Sequence, residues 1–495
     1  MTIKTKIFKR FLLSFLFIVI ASSVIASSVV AESDIPEIPE QWRSLTERDI
    51  EAIYSISSLN HPGMFDINNP RFPVLLKQAK AEALMLSAKA SGAQAHVAAI
   101  ARFSTLLQDG HAGAFSSVKR PVRRWPGFSA VWRGSALKVY YSEIENITKG
   151  DVVSQCDSQH IDALMRERVF KYHGEIEQPG HWWSHGWRLL IDEGNPFLLP
   201  LKNCEFVKPN GETYSKVLNW SVRPQAVRKH LTDAYNGDEL PIDLTWPARD
   251  IAWIAMPTFG PNERQVTDYK NVFKKIVTQR DTLLSAKAVV LDLRHNQGGS
   301  SYWSLKIAKA LWGEKIVEQK NAEYSKNTEV WWRASKGNTE YVQSLIDVVK
   351  DQPEMYQLIT TVAKGMAQSL KSKKPFYIEL EDHQLTQSGS KLLTSDFTTK
   401  VFVIVPPQCA SACLDAIDVF KLFPNTQLFG APSSADSTYM EVRLVDLPSG
   451  LGKVIVPNKV YVNRARGKGD YYKPDIAYND IDWTTNLLLK QIKMY

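Results

Sequence analysis

The chain has 495 residues, too many for one ordinary core, so two or three domains of roughly 100 to 200 residues are expected. Hydrophobic residues make up 44% and charged residues 23%, a globular balance that excludes a disordered chain, and no internal repeat or low-complexity tract is present. The net charge of +8 is spread along the chain, Lys and Arg being offset nearly everywhere by Asp and Glu, so nucleic acid is not implied as a partner.

At the N-terminus Lys4, Lys6, Lys9 and Arg10 precede the apolar run Phe11 to Ile20, and a Ser/Ala/Val stretch ends at Ala31. This is the pattern of a secretory signal over residues 1–31, with Val29 and Ala31 as the small residues before the cut. An uncleaved anchor over Phe11 to Ala31 is the alternative, weakened by the serines after Ala21. With the signal removed, no segment is apolar for long enough to insert stably in a membrane, and a periplasmic or secreted location is expected. Four cysteines fall in two sequence pairs, Cys156 with Cys204 and Cys409 with Cys413; an oxidising compartment permits disulfides, and all three connectivities are open.

Residues 32–115 read as a helical cap. "RFPVLLKQAKAEALMLSAKA" and "AHVAAIARFSTLL" carry apolar residues at i, i+3, i+4 spacing, and Gly110 and Gly113 end the pattern. Residues 116–225 change to short alternating strands such as "SALKVYYSEI" and "KVLNWSV", with a turn at "KPNGE". Within them "ITKGDVVSQCDSQHIDAL" resembles the Gly-Asp-strand-turn segment of a PDZ domain, although Ser158 stands where a turn glycine is usual. The insert "PGHWWSHGWRLL" has no counterpart there, and a plain small β domain is the other reading. From 226 to 495 strands and helices alternate: "DIAWIAMPTF", "ERQVTDYKNVFKKIVTQR", "AKAVVLDLR", "SYWSLKIAKALWG", and later "KVFVIVPP", "SACLDAIDVFKLF" and "QLFGA". That is an α/β layer with buried strands, interrupted at about 318–399 by a stretch of helical pattern that reads as a lid or as an extra packing layer.

Two segments carry chemistry. In "KVFVIVPPQCASACLDAIDVF" an apolar strand runs into a short loop, and Ser411 opens a helix between Ala410 and Ala412. Small neighbours admit a carbonyl, and first-turn amides left unpaired by the helix can hold an oxyanion, although a serine here is more often only an N-cap. In "AVVLDLRHNQGGSS" a buried strand ends in Asp292, Leu293 and Arg294 before Gly298 and Gly299, whose backbone can approach a substrate closely. A plain glycine-rich turn is the simpler reading, and no Gly-Lys-Ser/Thr follows to make a phosphate loop. No metal site is legible: His181 and His185 in "HWWSH" lack a zincin glutamate, and the tryptophans between them suggest packing.

Taken in order, these segments resemble the tail-specific, or C-terminal-processing, serine peptidases and their tricorn-core relatives. "VVLDLRHNQGGS" is similar to the family's DLR-x-N-x-GG motif and "PQCASACLD" to its T-x-SA-x-E nucleophile segment. "IAWIAMPTF", "LFGAPSS" and "YYKPDI" resemble three further family segments, so the likeness runs from about Asp250 to Ile476. It implies an α/β core of the ClpP/crotonase kind, peptide or unfolded-protein substrates, no cofactor, and an acyl-enzyme on Ser411. The resemblance puts the oxyanion amides at Ala412 with Gly298 or Gly299. Where the family's lysine base is expected stands Asp436, which cannot do that work. His111 in "LLQDGHAGAF" resembles the histidine of the tricorn-like members and takes the base role. Its acidic partner is assigned to Asp470, with Asp436 and Asp109 as rivals. Two other readings stay open: an inactive relative that binds polypeptide C-termini, and a non-peptidase serine hydrolase.

Overall fold

The computed structural model describes residues 36–379 and 393–495. The signal segment at 1–31 lies outside them, as does part of the 318–399 stretch. The chain divides into two compact units, each assembled from three separated segments.

The first unit takes residues 36–119, 315–379 with 393–394, and 436–470. Its helices Pro39–Asn60, Phe72–Ser87 and Ala93–Leu106 bury Ile50, Ile53, Phe72, Leu76 and Phe103 together with Val454 and Val456. Those last two belong to the long strand Gly452–Val462, the organiser of a five-stranded sheet. Gly113–Ser116, Glu329–Arg333 and Tyr439–Asp446 each pair with it antiparallel, and Phe376–Ile378 pairs with Glu329–Arg333. The 318–399 stretch is therefore helical only in part. Helices Lys336–Val348 and Pro353–Lys371 are present, but strands flank them, because "EVWWR" alternates buried and half-buried side chains and packs Trp332 fully inside.

The second unit takes residues 120–314, 395–435 and 471–495. It holds a six-stranded sheet in the order Asp243–Ala248, Ile251–Ala255, Ala288–Asp292, Lys400–Val405, Thr426–Gly430, Ile476–Ala477, parallel after its first pair. Ile251–Ala255 and Ala288–Asp292 are buried at every position, as a parallel sheet covered on both faces demands. Helix Glu263–Thr278 begins with a full capping box between Asn262 and Gln265. A second, antiparallel sheet runs Phe128–Arg133, Ala136–Ser142, Val152–Cys156, Asn203–Val207, Thr213–Val217, and the Cys156–Cys204 disulfide joins two of its paired strands. The other disulfide is Cys409–Cys413, and no cysteine among the described residues is free. Among these residues no helix is long and apolar enough to cross a membrane.

Candidate active site

In the second unit, strand Lys400–Val405 leads through Pro406 and Pro407 to helix Ala412–Phe420, and Ser411 is the hinge between them. Its φ of 55° and ψ of −128° lie where residues with a Cβ are disfavoured, at a cost of about 1–3 kcal/mol. An ordinary serine N-cap has extended backbone and uses its hydroxyl on the first turn; Ser411 does neither. The first-turn amides of Cys413, Leu414 and Asp415 are bonded to the carbonyls of Ala410 and Ser411. The Ala412 amide has no acceptor among the described residues.

Gly298 lies directly against this turn, while Gly299 abuts the backbone of Phe259 and Gly260. A Cβ on Gly298 would sit 2.8 Å from the Ala410 carbonyl oxygen, 2.9 Å from Ser411 Cβ and 3.3 Å from the Ala412 nitrogen. Gly298 has φ 110° and Gly299 φ 133°, so both conformations suit glycine. The Gly298 amide donates to Asn296 Oδ1 at 2.9 Å, and Asn296 Nδ2 donates to the Met256 carbonyl at 2.8 Å. Asn296 thus fixes the turn and occupies the Gly298 amide, leaving the Gly299 and Ala412 amides as the free donors of the three expected ones. Ser301 Oγ, just past the glycines, donates to Asp415 Oδ2 at 2.6 Å and ties this loop to the Ser411 helix.

Behind the loop, Asp292 and Arg294 form a buried bidentate pair, Nε at 3.0 Å from each oxygen and Nη2 at 2.7 Å from Oδ2. Trp253 donates to the same carboxylate, and Arg294 reaches the Trp483 carbonyl and Thr485. With every polar group engaged, this pair anchors the strand end and leaves no carboxylate for chemistry. The tryptophan-rich insert forms helix Pro179–His185, whose Gly180 abuts the carbonyls of Pro407 and Ser433. His181 Nδ1 accepts the Glu175 amide at 2.8 Å, so the neutral ring carries its proton on Nε2 and donates to Ser434 Oγ at 2.8 Å. Burial lowers its pKa to about 4, and with both nitrogens engaged in this way it cannot act as a base toward Ser434.

In the first unit His111 follows helix Ala93–Leu106 on a turn built by Asp109, whose Oδ1 accepts the His111 amide at 2.8 Å. His111 Nδ1 lies 3.1 Å from Asp436 Oδ1; the histidine side chain is 21% exposed and the carboxylate 3%. Burial pushes the imidazole down, but the Asp436 carboxylate, with Asp109 and Glu441 beyond it, outweighs this and raises it to about 9. Burial likewise pushes Asp436 up, yet His111, then Arg466 and Arg464, hold its carboxyl below the usual range. The partner expected at Asp470 is a correction: that residue is exposed and accepts the Gly467 amide at 2.7 Å, closing a local turn, while Asp436 is the carboxylate on His111. Asp109, the other rival, is buried beneath the turn, with His61 Nε2 3.9 Å from its Oδ2. Among the described residues no group of three or more His, Cys, Asp or Glu is gathered to hold a metal ion.

Spacing alone already hinted at two of the supporting residues. Asn296 two before Gly298 and Asp109 two before His111 are both Asx-turn signals, in which a short side chain accepts an amide two positions on. Nothing in the sequence announced the His181–Ser434 contact, which depends on packing of distant segments.

A mostly parallel sheet that presents a glycine turn and a helix-initiating serine at its strand ends defines the class of fold: a mixed α/β core. Residues 250–478, a little under half of the chain, match the family model for peptidase family S41. That match supports a peptidase hydrolase, and the mixed α/β architecture is shared with solved structures of low identity. The crystal structure of mature CPAF is 11% identical, with TM-score 0.60 over 90% of this chain and 94% of that chain. The structure of mature CPAF complexed with lactacystin is 12% identical, with TM-score 0.57 over 92% of this chain and 98% of that chain. At such identities the likeness is one of fold. No curated protein sequence matches the chain.

Proposed function

We propose that the protein is an exported serine peptidase that cleaves peptides or unfolded protein ends through an acyl-enzyme on Ser411, with His111 as general base. His111, once neutral, takes the Ser411 hydroxyl proton while Oγ attacks the scissile carbonyl. The resulting oxyanion is received by the Gly299 and Ala412 amides, and the imidazolium, stabilised by Asp436, returns its proton to the departing amine. Water then repeats the sequence on the ester and frees Ser411. The two disulfides agree with export, because such bonds persist in oxidising compartments.

The observation that carries this reading is the Ser411 backbone: a serine held at φ 55° beside a glycine turn, with its hydroxyl unused as a cap. Strain of this kind persists at sites where it is part of a mechanism. The test is labelling of the purified protein by a fluorophosphonate near pH 7.5. Wild type is expected to label, and Ser411→Ala and His111→Ala to lose the label along with peptide hydrolysis. A folded wild type that takes no label would favour the inactive, C-terminus-binding relative; labelling with ester but no peptide turnover would favour a non-peptidase hydrolase.

A further inference from the structure

We propose that the Cys409–Cys413 disulfide is a positioning element for Ser411, which makes the reactivity of that serine dependent on an intact bond; this rests on the reading of Ser411 as nucleophile. The bond closes a ring running from Cys409 to Cys413 with Ser411 inside it, the two Cα atoms 5.3 Å apart and both cysteines fully buried.

A general staple is not what this bond supplies. The stabilisation a disulfide gives by restricting the unfolded chain grows with the loop it closes, and here the sequence separation is 4, against 48 for Cys156–Cys204. Its effect falls instead on local conformation. Ser411 is the one residue of the ring with positive φ, and its side chain makes no capping bond that would hold it there. The hydrogen bonds from Leu414 and Asp415 to the Ser411 carbonyl, 2.9 and 3.2 Å, belong to any helix start. Freed of the ring, the serine has a lower-energy alternative close by: extended backbone with its hydroxyl turned onto the first helical turn. That change would carry Oγ away from its present place beside Gly298, which packs so close that a Cβ there would sit 2.9 Å from Ser411 Cβ. Cys156–Cys204, by contrast, joins residues that already face each other in a strand ladder, so it provides an internal control.

The experiment follows fluorophosphonate labelling and peptide hydrolysis in the purified full chain. It compares oxidised wild type, wild type treated with a dithiol, Cys409→Ala/Cys413→Ala, and Cys156→Ala/Cys204→Ala, each checked by circular dichroism. The dithiol gives two electrons and two protons to the protein disulfide and closes to a cyclic disulfide itself. The labelling rate is expected to fall about 10²-fold on reduction, the penalty of a misplacement near 1 Å, and to return on reoxidation. Cys409→Ala/Cys413→Ala should show the same loss without reductant, in kcat and with KM held within about twofold, since a bound peptide is still recognised but not attacked. Cys156→Ala/Cys204→Ala should label like oxidised wild type and still respond to dithiol. A folded Cys409→Ala/Cys413→Ala that labels at the wild-type rate overturns the inference alone; should that variant not fold, a reduced wild type that stays folded and labels fully does so. An oxidised wild type that takes no label overturns the Ser411 reading and this inference with it.

Discussion

In the role proposed for it, His111, with its pKa raised to about 9, acts as a base only after it gives up a proton that Asp436 favours. At pH 7.5 roughly one molecule in thirty carries the neutral ring, so kcat/KM should climb about tenfold per pH unit below 9 and level off above it. Asp436→Asn removes the main force raising the imidazole while burial stays, so the inflection should move down toward or below 6.5 and the plateau should fall roughly 10²-fold or more as ring orientation is lost. Asp470→Asn should leave profile and plateau within about twofold, because its carboxylate serves only the Gly467 turn. A pH–rate series on the three proteins separates the assignments, and an inflection unmoved in Asp436→Asn would remove this carboxylate from the mechanism. The sequence could not choose between Asp436, Asp109 and Asp470. A sheet makes the choice: Gly113–Ser116, just after His111, pairs with Gly452–Val462, which also pairs with Tyr439–Asp446, just after Asp436.

At the scale of elements, the loop Asp292–Gly299 divides its work between architecture and approach. Asp292 and Arg294 are locked in each other and in their neighbours, whereas Gly298 comes up to Ser411. Gly298→Ala would drive a methyl group into the Ala410 carbonyl and Ser411 Cβ at a φ of 110°, so it should cost about 1–3 kcal/mol of stability and lower Ser411 labelling about 10²-fold. Urea denaturation and labelling rates measure the two effects, and a stable variant with normal labelling would show that the close approach is dispensable. The core strands were legible because Ile251–Ala255, Ala288–Asp292 and Lys400–Val405 are short apolar runs set between amphipathic helices, and the motif order across them pointed to the family. The strands inside the 318–399 stretch were not. Glu329–Arg333 and Phe376–Ile378 have five and three residues, too few for an alternating pattern to stand out, and the strand that completes their sheet lies far along the chain.

Across the whole molecule, histidine chemistry sets an acid limit on stability. Burial depresses His96 and His181 to about 4 and His173 to about 3, and holds His61 and His185 well below their usual value. Unfolding exposes these rings to water, where they bind protons below about 6.5, so each of them subtracts up to about 1.4 kcal/mol per pH unit as pH falls from there toward 4, His173 less because its side chain is 34% exposed and screened by solvent. His111 acts in the opposite sense: its raised pKa adds stability that is complete below about 6.5 and gone once pH passes about 9. Urea midpoints should therefore drop steeply between pH 6.5 and 5, and a flat profile there would mean that these histidines are protonated in the folded protein. The three-segment construction of each unit has a further consequence, one for the order of synthesis. A chain emerging from its N-terminus has made the helices that bury Ile50 and Phe103 long before Gly452–Val462 arrives to cover them and to join three strands at once. The first unit cannot close before residues 436–470 are made, nor the second before 471–495, so a partly synthesised chain is held open by its own topology.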